Sequence, residues 1–181
     1  MLNLIARFRR AKDGIAAVEF AILAPVMVAL FLGSIELCDA LDCQQKVTGM
    51  ASTAADLVAQ ETQATNGDIS NVFAAVNSIV YPYPAAGLKI VITSIAQTTG
   101  PNPTTKVAWS CAQNTAPRTA GSAITVPTGV ISSGGSVILA EVSYPYSSPV
   151  SDYITGTINM TETFYARPRR STTITAPASC P

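Results

Sequence analysis

Glu19 is the residue most out of place in this sequence, because its carboxylate lies in a run, Ile15 to Cys38, whose other ionisable side chains are Glu36 and Cys38 itself. Bringing a carboxylate toward the hydrocarbon of a bilayer costs on the order of 2.5 kcal/mol or more, so such a group marks a function and calls for a positive partner. Arg7, Arg9, Arg10 and Lys12 lie just upstream of the run. A basic stretch followed by roughly twenty apolar residues is the pattern of a membrane-spanning helix with its basic end in the cytoplasm. A cleavable secretion signal begins the same way. It has a shorter apolar region and needs a small-x-small cleavage site, which Ala24-Pro25 and Gly33-Ser34 do not supply.

Other chemistry is scarce. The chain has no histidine, its formal net charge is zero and charged residues make up 12%. Neither a His-based metal or acid/base site nor a nucleic-acid footprint is available. The sequence holds no C-x-x-C pair, phosphate-binding glycine loop or clustered carboxylates, so neither a metal nor a cofactor is expected. Hydroxyl nucleophiles lack a histidine base, which leaves lysine activation as the remaining catalytic route, and no catalytic residue is assigned. The four cysteines allow three full pairings. Cys38 and Cys43 lie on different faces of one expected helix, too far apart to bridge without strain. Cys111 and Cys180 fall in the domain expected beyond the membrane, where a bond between them would tether the Pro-rich tail to the sheet; free thiols are the alternative. Arg167, Arg169 and Arg170 either pair with Asp39, Asp42 or Asp56 or stay solvated, and solvation is the expectation.

The Gly14-x-x-x-x-Glu19 spacing resembles the processing site of type IV prepilins. The fuller run Gly14-Ile15-Ala16-Ala17-Val18-Glu19-Phe20-Ala21-Ile22-Leu23-Ala24-Pro25 resembles the G-x-A-A-V-E-F-A-L-x-x-P opening of TadE-like proteins. These are minor pilins, or pseudopilins, of the tight-adherence pilus machinery. Ile35-Glu36-Leu37 fits the same family, Val142-Ser143-Tyr144-Pro145-Tyr146 resembles its late strand, and Ala166-Arg167-Pro168-Arg169 resembles its closing R-P-R. The resemblance implies cleavage between Gly14 and Ile15 by a prepilin peptidase. It assigns Glu19, Phe20 and Pro25 to assembly, with Glu19 facing the freed α-amino group of a neighbouring subunit so that the two charges neutralise each other. The implied partners are that peptidase, the other minor pilins and the major pilin of the same pilus, the inner-membrane assembly platform and inner-membrane lipid. The implied place is the bacterial inner membrane, crossed once, with the C-terminal domain periplasmic or carried into the extracellular pilus. The competing reading is an unprocessed, signal-anchored binding module or adhesin.

The elements that must position these residues follow from periodicity. Leu41, Val47, Met50, Ala51, Ala54, Leu57 and Val58 recur near helical spacing, which predicts a helix continuing from the membrane to about Glu61. From Ile15 that is a rod of roughly 70 Å at 1.5 Å per residue. Pro25 inside it tolerates or promotes a kink. Thr65-Asn66-Gly67-Asp68 breaks the pattern, and Ile69, Val72, Phe73, Val76, Ile79 and Val80 then mark a second short helix, stopped by Tyr81-Pro82-Tyr83-Pro84. Beyond it, Leu88 to Ala96, Thr104 to Ala112, Ala123 to Val126, Ser136 to Tyr146 and Thr155 to Ala166 read as strands. The segment from Ala112 to Ser136 is expected to be a solvated loop, with partner contact as its other use. The organisation expected is a leader at 1–14, a transmembrane helix at 15–38, a helical stem at 39–61 and a β-rich periplasmic domain at 62–181. The fold class is α+β: a long N-terminal transmembrane and stem helix packed on a small antiparallel sheet, as in a pilin.

Overall fold

The computed structural model describes residues 14–100, 102–148 and 156–181. Residues 1 to 13 of the expected 1–14 leader lie outside them, as does the Thr155 start of the last expected strand. The fold is α+β: a long N-terminal helix and a four-stranded antiparallel sheet. Helix α1, Gly14–Ala59, carries Pro25 in its interior, and the chain divides into two units, residues 1–40 and 41–181.

In the second unit, the α1 residues Cys43, Val47, Met50, Ala51, Ala54, Ala55, Val58 and Ala59 are buried. Their spacing of three and four residues keeps them on one stripe. Leu41 and Leu57, expected on that stripe, are exposed instead. At about 100° per residue, Leu57 lies roughly 80° around the axis from Val47, past Met50 at the margin of the stripe, whereas Leu41 shares the bearing of buried Ala59 and stands ahead of the first buried residue, Cys43. The helix ends at Ala59 rather than Glu61, because its last turn tightens: the Gln60 and Glu61 N–H groups donate to the Leu57 and Val58 carbonyls, three residues back. The Ala59 carbonyl, left without an intrahelical donor, accepts from the Arg169 backbone N–H at 2.9 Å.

Helix α2, Asn66–Ile79, begins in the four residues that break the earlier pattern. The Thr65 hydroxyl oxygen accepts from the Asp68 N–H at 3.2 Å and the Asp68 carboxylate accepts from the Thr65 N–H at 3.0 Å, a reciprocal capping box. Its Ile69, Val72, Phe73 and Val76 are buried.

Strands β1, Lys89–Gln97, β2, Thr105–Gln113, β3, Ser136–Tyr146, and β4, Ile158–Ala166, form one sheet in the order β2-β1-β3-β4, each neighbour antiparallel. Register puts Ile90, Ile92, Ile138, Ala140, Val142, Tyr144 and Met160 on one face and Ile95, Val137 and Leu139 on the other. Period two makes both faces apolar in β3, so each needs a cover.

The cover of the second face differs from expectation. Ala123 to Val126 does not form a strand; Ala123 makes a single bridge to Lys106, with Val107 N–H donating to Ser122 and Ile124 N–H to Thr105. Pro127 follows and cannot donate to a ladder. The loop is not simply solvated, because Ile124, Val126, Val130 and Ile131 pack against Ile95, Val137 and Leu139. The arginine cluster is likewise not simply solvated. Arg167 donates to the Gly129 and Val130 carbonyls at 2.6 and 2.8 Å, and Arg169 pairs with Asp56.

Candidate processing and assembly site

The residues assigned to processing and assembly lie along the first turns of α1. Gly14 is its first residue, and Ile15, Glu19, Phe20 and Pro25 are all exposed. Ile15 and Glu19 are four apart and therefore neighbours on one helix face. Pro25 has no N–H to give the Ala21 carbonyl, so the helix lacks one backbone bond there. Around Gly14, among the described residues, a side-chain carbon would meet no atom within 4 Å beyond its chain neighbours and the helix's own backbone.

Exposure here is not confined to one stripe. Ile15 is 59% exposed, Phe20 68%, Leu30 70% and Phe31 64%, with Ile22, Leu23, Val26, Met27, Leu32, Ile35 and Leu37 similarly uncovered. An 18-residue window of this helix has mean hydropathy 2.5 and none of it is buried within the chain. An apolar surface on all sides is unstable in water and suits lipid or other apolar helices. The segment is thus long and apolar enough for a single-pass membrane anchor.

The cysteines belong to a different part of the chain. Cys111, fully buried in β2, forms a disulfide with Cys180, their Cα atoms 5.4 Å apart. Cys38 is a free, exposed thiol of the first unit, and Cys43 a free, buried thiol of the second. Burial, followed by the neighbouring Asp42 carboxylate, pushes the Cys43 thiol up to about 11 against the opposing pull of Lys46. Burial also raises the Tyr144 phenol.

The disulfide is one fastening of a longer strap that sequence reasoning did not foresee. Between Arg169 and Cys180 the tail donates from Arg169 to Ala59, exchanges backbone bonds with Thr62 and Ala64 through Thr175, and buries Ile174. The Ile174 carbonyl accepts from the Trp109 indole N–H at 2.9 Å, and the Ser179 hydroxyl oxygen accepts from the Asn66 amide at 2.7 Å. One signal was available: a lone tryptophan inside an apolar strand needs an acceptor for its indole N–H when buried, and the tail beyond the last strand was free to provide it.

Together the exposed apolar helix and the strapped sheet domain define a class: an α+β protein with, among the described residues, one candidate membrane span at its N-terminal side. Residues 14–56 match the model of the TadE-like protein family, and over that segment the chain is TadE-like, as its opening residues indicated. The match begins at Gly14 and includes Ile15, Glu19, Phe20 and Pro25. No curated protein and no solved structure matches the chain.

Proposed function

We propose that this protein is a minor pilin, or pseudopilin, of a tight-adherence pilus. A prepilin peptidase cuts it after Gly14, residues 15–38 anchor it once in the inner membrane, and residues beyond the anchor form its periplasmic domain. It serves in assembly or initiation of a fibre that grips surfaces. The observation that carries this reading is Glu19 at the fifth position after Gly14, on a helix whose apolar side chains face outward all round.

The mechanism follows from charge. Four basic side chains, Arg7, Arg9, Arg10 and Lys12, hold the leader in the cytoplasm. That leaves the Gly14–Ile15 bond at the inner interface, where a membrane-embedded peptidase reaches it, and glycine lets the backbone approach the protease closely. The cut removes the leader and creates an α-ammonium on Ile15. This new cation is the partner that the Glu19 carboxylate requires in a low-dielectric setting, offered between neighbouring subunits as the helices pack.

N-terminal sequencing of the protein from its native host is expected to begin at Ile15, Gly14→Leu to block processing, and Glu19→Ala to leave much of it intact while impairing assembly. A mature chain that begins at Met1, or beyond residue 24, overturns the reading in favour of a signal-anchored or secreted module.

A further inference from the structure

Among the described residues of the second unit, five large apolar side chains are exposed: Leu41, Leu57, Tyr81, Ile158 and Phe164. Leu57 and Phe164 line one shallow groove between α1 and β4. The other three gather around Tyr83. The Tyr83 hydroxyl donates at 3.4 Å to the carboxylate of Asp42, the residue after Leu41. Its ring centroid lies 6.0 Å from that of Tyr146, which pairs with Ile158 across β3 and β4. Tyr81, two residues before Tyr83, is 78% exposed. This end of the sheet domain is also where the chain arrives from the anchor. Leu41 follows Cys38, the last residue of the expected span, by three positions, a reach of at most about 11 Å however the chain runs. Exposed Asp39 and Asp42 flank Leu41. Carboxylates mark where hydrocarbon gives way to the headgroup layer, roughly 5–7 Å deep on each side of a bilayer.

We infer that Leu41, Tyr81 and Ile158, arranged around Tyr83, rest the sheet domain on the phospholipid headgroup layer of the membrane that holds its own anchor. Tyrosine suits that layer, because its ring enters the apolar side while its hydroxyl stays wet. Pro82 and Pro84 lock their own φ on either side of Tyr83, which limits the chain entropy lost when Tyr81 is immobilised. Lys46 lies 3.8 Å from the Asp42 carboxylate and offsets its repulsion from lipid phosphate. An anchor three residues away makes the contact intramolecular, so a small patch suffices where a free protein would need a larger one. Docking also gives exposed Leu41 a cover that the sheet does not provide. The inference rests on the anchor of residues 15–38 and not on cleavage after Gly14.

Fluorescence quenching of the full chain in neutral phosphatidylcholine vesicles tests this. The background carries Cys38→Ser and Cys43→Ala, which removes the two free thiols and leaves the Cys111–Cys180 bond. A fluorophore on Ser147→Cys, beside Tyr146, is expected to be quenched by headgroup spin-labelled lipid at least threefold more than one on Ala123→Cys. Ala123 bridges Lys106, which pairs with Ala96 at the opposite end of the sheet. Tyr81→Ser with Ile158→Ser should lower the quenching at Ser147→Cys at least twofold, whereas Tyr81→Trp with Ile158→Leu should keep it. Retention of the Cys111–Cys180 peptide pair in each variant checks that the domain is folded. An alkaline wash separates the two readings. A chain that washes off the vesicles overturns the anchor and the docking together. A chain that stays while both labels are quenched alike, or while Tyr81→Ser with Ile158→Ser changes nothing, overturns the docking alone.

Discussion

Opening the Cys111–Cys180 bond by Cys180→Ser leaves the buried thiol of Cys111 in place and changes only an exposed position. The bond spans a sequence separation of 69 residues. Releasing a loop of that size restores chain entropy to the unfolded state equivalent to about 4.4 kcal/mol at 25 °C. The folded tail loses little, because Thr175, Ile174 and Ser179 keep their partners on Ala64, Trp109 and Asn66. The change therefore acts mainly through the unfolded chain and should lower the melting temperature on the order of 10 °C for a unit of this size. Trp109 is the sole tryptophan and its indole bonds to the strap, so its fluorescence in a melt of the full chain in detergent reports the transition. Reductant should shift the wild type by the same amount and leave Cys180→Ser unmoved. Cys111→Ser should fall further, since it also buries a hydroxyl where no exposure remains. A Cys180→Ser melt within about 3 °C of the wild type would refute the loop-closure reasoning.

Further consequences can be measured on the same preparation. Because folding holds the Cys43 thiol at about 11, above its ordinary 9.0, the protonated form is favoured in the native state. Its stabilisation is complete below pH 9 and lost as pH rises through 11, by at most about 3 kcal/mol; Cys43→Ala should flatten this decline in melts taken from pH 8 to 11. Gly87→Ala would place a carbon 2.7 Å from Cγ of Pro145, which should destabilise by about 1–3 kcal/mol, and Pro145→Ala in the same chain should recover most of that loss in the melt. Arg167→Ala removes two donors to the carbonyls of Gly129 and Val130 and should speed proteolytic nicking at 127–131 severalfold, with a stability change of about 2 kcal/mol or less.

Much of this protein was legible in local pattern. The apolar run from Ile15, the carboxylate of Glu19 within it and the switch from helical to period-two spacing after Tyr83 depend on residues near one another in sequence, and the bounds of β3 fell where the pattern put them. The same locality explains the misreadings. Leu41 and Leu57 fit a helical repeat, but only packing in three dimensions decides which part of α1 is covered. Ala123 to Val126 has strand composition, yet Pro127 and the apolar face of β1 and β3 make it a lid.

By itself the sequence determined the candidate membrane span, the TadE-like opening that begins at Gly14, and the α+β class, because each is written in composition and period over a few turns or strands. Only tertiary structure decided that the Arg169 N–H would complete the end of α1, that Trp109 would find its acceptor at Ile174, and that the loop would cover the edge of β2. Those outcomes join residues tens of positions apart. Backbone groups and apolar faces must be satisfied somewhere, but which distant segment satisfies them depends on how the chain closes in space.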